Sequence, residues 1–146
     1  MDERITKIKE GFVIDHIEAG KGKEVLNILN LDNKENPYTL GVRYDSKKLE
    51  RKDVLKIENL DLGEHELNKV ALIAPNATIN KISNYNVISK KKVELPNVIE
   101  NTVICFNPNC ITRHEDVKTR FYVVTKSPLI LRCHYCEKSS SKIELI

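Results

Sequence analysis

Four cysteines are the residues of this 146-residue chain most clearly arranged for chemistry. They stand as C-x4-C at Cys105 and Cys110 and as C-x2-C at Cys133 and Cys136, with 22 residues between the pairs. Two tight turns can each present two thiolates to one ion, and four sulfurs at tetrahedral corners suit zinc. Four thiolates also close the coordination shell. A catalytic zinc keeps a position open for water, so the spacing points to one structural ion rather than a reaction centre. His114 and His134 lie close to the pairs but are not needed once four thiols are available. An iron-sulfur cluster would draw on the same sulfurs, and the metal content of purified protein separates the two.

A second set of polar residues is scattered through the first two thirds of the chain. Asp15 and His16 end one strand-like run, Lys52 and Lys56 flank another, and Asn80 and Lys90 lie on two more. Lysine is a compact phosphate partner and aspartate can accept from ribose hydroxyls, so these residues could receive a triphosphate if the fold brings them together. "AGKGKEV" at 19–25 lacks the spacing of a phosphate-binding loop and reads as a turn entering a helix. The chain has no G-x-S-x-G, and no cysteine outside the metal set could serve as a thiolate nucleophile. It is therefore not expected to be an enzyme.

The elements that must position these residues follow from periodicity. Residues 5–17 alternate loosely around Gly11, which suggests strand, kink, strand. Val25, Ile28 and Leu29 have helical spacing from Gly22 to Leu31. "YTLGVRY" places Leu40, Val42 and Tyr44 on one face, and "VLKIENL" turns Leu55 and Ile57 inward after a charged turn at 45–53. A second helix opens near Gly63, with Asp61 and Glu64 as a capping box. Leu67, Val70, Ala71 and Ala74 form its stripe, and Pro75 ends it. "ATINKIS" and "YNVISKKK" make two strands around a turn at Asn84. This order predicts an α+β, ferredoxin-like antiparallel-rich sheet with two helices over residues 1–92. Residues 93–97, around Pro96, read as a linker. From 98 to 146 the runs "TVIC", "RFYVV", "LILRC" and "KIELI" predict a small all-β, zinc-ribbon-like domain, too small to stay folded without a staple.

The net charge of +3 is nearly balanced, which argues against a dedicated nucleic-acid binder. Aromatics that could stack bases are scarce. The alternative of a zinc-ribbon nucleic-acid-binding protein is disfavoured on both counts. No apolar run approaches the roughly 20 residues needed to span a bilayer, and "MDERITKIKEGF" is unlike a signal peptide. A cytoplasmic protein without membrane contact is expected, where paired cysteines serve as metal ligands rather than disulfides.

Five motifs in order resemble the regulatory chain of aspartate carbamoyltransferase. They are "GFVIDHI" at 11–17, "RKDVLKIEN" at 51–59, "APNATINKISNYNVISK" at 74–90, "LPNVIENTVICFNPNCIT" at 95–112 and "LRCHYCEK" at 131–138. The resemblance implies a non-catalytic chain of pyrimidine biosynthesis. Its N-terminal domain would bind CTP and UTP as inhibitors and ATP as activator. Its zinc domain would dock on the catalytic chain, two catalytic trimers being bridged by three regulatory homodimers. It matches Asp15 and Lys56 to the ribose end of the nucleotide, and His16, Asn80, Lys90 and Lys52 to the phosphates. Ile8, Ile82, Tyr85 and Val87 match the lining around base and sugar, with backbone groups of Ile8 and Tyr85 reading the base. Asn107, Asn109 and Glu137 would face the catalytic chain from an outward loop. The short segment before Ile5, carrying Asp2 and Glu3, departs from the family arm.

Overall fold

In the computed structural model, which describes residues 7–47 and 50–146, β1 spans Gly11–Glu18 and lies at the centre of an antiparallel sheet. α1 (Gly22–Ile28) follows it, then β2 (Tyr38–Ser46), β3 (Glu50–Glu58), α2 (Glu64–Ile73), β4 (Thr78–Ser83) and β5 (Asn86–Lys92). The strand order is β2-β3-β1-β4-β5, the split arrangement that the order of elements predicts with one added edge strand. Phe12, Ile14, Leu55, Ile57 and Ile79 turn to one face, where Val25 and Leu29 of the first helical segment and Val70 and Ala71 of α2 cover them. Leu55 and Ile57 are thus inward, as their spacing requires. On the opposite face Ile8, Val13, Val54 and Ile82 make a smaller apolar cluster, with Tyr44 packed against it.

Gly11 shows why the family of apolar strand residues starts with a glycine. Its φ is +143°, and a Cβ there would run into the carbonyl oxygen of Ile57 on the paired strand. The interruption of β1 falls later than the sequence suggests, at Asp15 and His16, where pairing with β3 skips from Ile14↔Leu55 to Ile17↔Asp53. Ile5 and the preceding acidic segment lie outside the described residues, as do Lys48 and Leu49 of the charged turn.

Three local expectations are corrected. Leu40, Val42 and Tyr44 do not share a face: a bulge between Gly41 and Tyr44 sends Leu40 to the helix side and Tyr44 to the other, and leaves Val42 45% exposed. The α2 cap is Gly63, whose N–H donates to Glu66 Oε2 at 3.1 Å, rather than a box built on Asp61 and Glu64. α1 stops at Ile28, and the chain continues as a 3-10 turn at Leu31–Asn33. The β4–β5 hairpin does turn at Asn84, with Asn84 and Tyr85 both at positive φ, the geometry a two-residue loop needs.

The chain divides into two compact units, 1–95 and 96–146. Val93 is buried in the first core and donates its N–H to Ala77 O at 3.0 Å, and Leu95 packs there too. The second unit is a four-stranded antiparallel sheet of β6 (Val98–Glu100), β7 (Arg120–Lys126), β8 (Leu129–Cys133) and β9 (Ser139–Ser140). "TVIC" and "KIELI" do not form strands; they meet in a single bridge between Val103 and Leu145. Among the described residues, no helix is long and apolar enough to cross a membrane.

Candidate metal centre and nucleotide face

The two cysteine pairs sit on two turns of the second unit. Cys133 ends β8, and the turn into β9 is closed by Glu137 N–H to Cys133 O and Cys133 N–H to Lys138 O, at 2.9 and 3.0 Å. Glu137 there takes φ +62°. Cys105 and Cys110 lie on the loop after the Val103 bridge, tightened by Cys110 N–H to Asn107 O at 3.0 Å and by Arg113 Nη1 donating to Cys105 O at 2.9 Å.

The four sulfurs lie within 4.8 Å of one another, and the Cys105–Cys136 and Cys110–Cys133 separations are both 3.7 Å. A tetrahedron with zinc–sulfur bonds of about 2.3 Å has edges of about 3.8 Å, whereas a disulfide needs about 2.0 Å. The cysteines are free thiols, and the set fits a closed structural zinc. Neither His114 nor His134 joins it: His114 Nε2 is 2.7 Å from Pro108 O, and His134 Nδ1 accepts from or donates to Tyr122 Oη at 2.7 Å.

Without a cation the thiols are held unequally. Burial pushes Cys105 up to about 12, against an opposing backbone hydrogen bond from Asn107. Burial raises Cys133 as well, against the backbone N–H groups of Cys136 and Tyr135. For Cys136 burial also pushes upward, but the Lys138 backbone, the Asn107 side chain and the Cys105 and Cys133 thiols together bring it down to about 7. A divalent cation stabilises thiolates and must displace the protons burial favours.

Asn107 is corrected by this geometry. It is only 8% exposed, its Oδ1 accepts the Asn109 N–H at 3.1 Å, and its side chain bonds Cys136. It supports the metal ligands from inside the loop, and is not presented outward. Asn109 and Glu137 are exposed, one on each cysteine turn.

In the first unit the scattered polar residues are gathered by strand register. Lys56 of β3 pairs with Val13 of β1, Val13 with Asn80 of β4, and Asn80 with Lys90 of β5. Paired residues of antiparallel strands share a face, so these side chains form one row across the side without helices. The next row holds Asp15, Thr78 and Lys92. Lys52 reaches Asp15 with Nζ 2.9 Å from Oδ1, and both side chains are about nine-tenths buried. His16, at φ +58° in the β1 bulge, has Nδ1 3.2 Å from Thr78 Oγ1. Asn80 Nδ2 donates to Val13 O at 3.3 Å.

Lys52 and Lys56 are only 8% and 5% exposed on a sheet face that the helices leave uncovered. Lysines are rarely buried this far without a compensating partner, and on Lys52 that partner is Asp15. Toward the other end of the strands the same face turns apolar. Ile82 pairs with Gly11 and with Val87, and Ile8 packs on Ile82. Tyr85 and Val87 are 56% and 43% exposed at the hairpin end. The Tyr85 N–H donates to Lys9 O at 3.1 Å. Spacing alone missed Thr78, Lys92 and Val13; the two-residue period from Asn80, Lys90 and Asp15 was the signal that could have found them.

Comparison with known proteins matches residues 3–94 to the family model "Aspartate carbamoyltransferase regulatory chain, allosteric domain" and residues 97–146 to its "metal binding domain". Relatives bearing that regulatory-chain name include the one from Pyrococcus abyssi, 52% identical over 145 residues, covering 98% of this chain and 95% of the relative. That of Thermococcus kodakarensis is 49% identical over 144 residues, covering 97% and 94%. That of Methanococcus aeolicus is 46% identical over 142 residues, covering 97% and 91%.

Proposed function

The chain belongs to the family of aspartate carbamoyltransferase regulatory chains, and from that premise we propose that its first unit binds CTP, UTP and ATP on the uncovered sheet face while its zinc unit docks on the catalytic chain. It regulates carbamoyl transfer and does not perform it. The observation that carries the nucleotide reading is the cross-strand row Lys56–Val13–Asn80–Lys90 beside the buried Lys52–Asp15 pair. Cations and an amide converge there, and an apolar patch about Ile8, Ile82 and Val87 adjoins them, Ile82 lying two residues beyond Asn80 on β4. Triphosphate at the lysine end and base at the apolar end match the two halves of the face in polarity.

Docking through the second unit is supported by the exposed Asn109 and Glu137 on turns that the cysteines hold in place. Assembly of two catalytic trimers with three regulatory dimers, each a homodimer of this chain, is the arrangement we assign to the complex. A nucleotide then shifts catalysis only if it binds the low-activity and high-activity quaternary states unequally, and the coupling runs equally in reverse.

Lys56→Ala and Lys90→Ala are expected to lower nucleotide affinity, the buried Lys56 by roughly 10- to 100-fold and the exposed Lys90 by less, since hydrogen bonds to charged groups contribute about 1.5–3 kcal/mol. Both variants should still co-purify with the catalytic chain. Calorimetry returning unchanged CTP and ATP affinities in both would refute the site.

A further inference from the structure

Asp53 lies on β3 between Lys52 and Val54, yet it turns to the opposite face, pairing with Ile17, and is 1% exposed. Its carboxylate is ringed by backbone donors. Oδ2 accepts the N–H of Gly20 at 3.0 Å and of Gly22 at 2.9 Å, and Oδ1 accepts the N–H of Arg43 at 3.0 Å. These donors belong to two different neighbours of β3. Gly20 and Gly22 form the turn by which β1 enters α1, and Arg43 is the residue at φ +58° in the β2 bulge.

Both neighbouring strands change register beside Asp53. β1 skips between Ile14 and Ile17, and β2 between Gly41 and Tyr44. A bulge re-aims the side chains beyond it. Here the β1 bulge contains Asp15 and His16, and its far side resumes at Ile17 opposite Asp53. The β2 bulge resumes at Tyr44 opposite Lys52. One carboxylate therefore ties the β2 bulge, through Arg43, to the turn that follows β1, at the level where Lys52 meets Asp15. The fit is close: a Cβ on Gly22 would lie 2.8 Å from Asp53 Oδ2 and 2.8 Å from Leu40 Cδ1.

We propose that Asp53 is a positioning residue of the nucleotide site, fixing through backbone N–H groups the β2 bulge and the turn that follows β1, and so holding the strands on either side of the Lys52–Asp15 pair. This rests on the nucleotide reading above. Asp53 touches no ligand in this account and acts through Lys52. An asparagine of the same shape would present an amide donor to amides that need acceptors.

The test is calorimetric titration of CTP into the full chain and its Asp53→Asn, Gly22→Ala, Lys52→Ala, Asp53→Asn/Lys52→Ala and Gly22→Ala/Lys52→Ala forms, with folding checked by circular dichroism. Asp53→Asn is expected to lose about tenfold or more in affinity in the natural background and little further in the Lys52→Ala background, because both changes disable the same pair. Gly22→Ala, which disturbs the carboxylate without altering charge, should lose affinity in the same direction and decides the matter if Asp53→Asn does not fold. Equal losses with and without Lys52, or natural-strength binding in the folded single variants, would overturn the proposal while leaving the site intact. A natural chain that takes up neither CTP nor ATP would instead remove the nucleotide reading itself.

Discussion

Cys133→Ser, or removal of the metal by a chelator, is expected to unfold residues 96–146 and to leave 1–95 folded. The second unit is small and its buried apolar side chains are few: Ile99, Val103, Phe121 and Leu131, besides the cysteines themselves. Such a unit gains little from burial alone. A structural zinc adds on the order of 10–16 kcal/mol of apparent binding energy in comparable small sites, which exceeds what this core can supply. The first unit has its own core about Ile14, Leu55, Ile57 and Val70 and contains none of the ligands. Chelation followed by limited proteolysis should therefore degrade the C-terminal third and spare the rest, and the catalytic chain should be released. A metal-free protein that keeps its second unit and its partner would sink the structural role.

The pH dependence has a definite sign. Zinc holds thiolates, so the bound form behaves as a set of groups with depressed proton affinity, and its stability is present at neutral and alkaline pH and lost on acidification. Without a cation Cys136 is brought down to about 7, while burial holds Cys105 and Cys133 higher. Below about pH 7 Cys105, Cys133 and Cys136 favour their protons, and zinc affinity is expected to fall steadily as pH falls. Zinc affinity that stays constant from pH 8 to pH 5 would contradict thiolate ligation.

Lys52→Ala carries the other large effect, on stability as well as binding. Its ammonium is 2.9 Å from the Asp15 carboxylate, with about a tenth of either side chain exposed. Removing the cation leaves a buried carboxylate that still accepts the His16 N–H at 2.7 Å but has lost its ammonium partner. Breaking one half of such a pair costs about 3 kcal/mol or more. Replacing both halves, as in Asp15→Ala/Lys52→Ala, should restore much of the stability and none of the nucleotide affinity. Denaturant melts of the singles and the double test this. Arg51, one residue away, provides the contrast, because its pair with Asp45 is exposed on both sides and is worth at most about 1 kcal/mol. A Lys52→Ala melt as mild as that of Arg51→Ala would mean that the buried pair contributes nothing.

What could be read from the residues alone was whatever depends on type and short spacing. The four ligands followed from two close cysteine pairs, and the inward turn of Leu55 and Ile57 from alternation within one strand. What escaped were features set by partners distant in sequence. Val42 left its expected face because the next residue, Arg43, gives its N–H to Asp53, ten residues further on, and with it forms a bulge. Asn107 turned inward because the sulfur it supports, Cys136, arrives from another turn. "TVIC" and "KIELI" have strand composition but find only one bridging position in each other. The polar face of the first unit was legible as a set of residues. Its order across the sheet was not, because register is fixed by pairing, and the bulges shift it.

The central claim is that this chain carries nucleotide signals to a catalytic partner. The most direct measurement is aspartate saturation of the cognate catalytic trimer, alone and reassembled with this chain, while CTP, UTP and ATP are titrated. Aspartate half-saturation is expected to shift with nucleotide in the reassembled complex and to be unmoved in the trimer alone. A complex that forms but whose aspartate curve no nucleotide displaces would contradict the account.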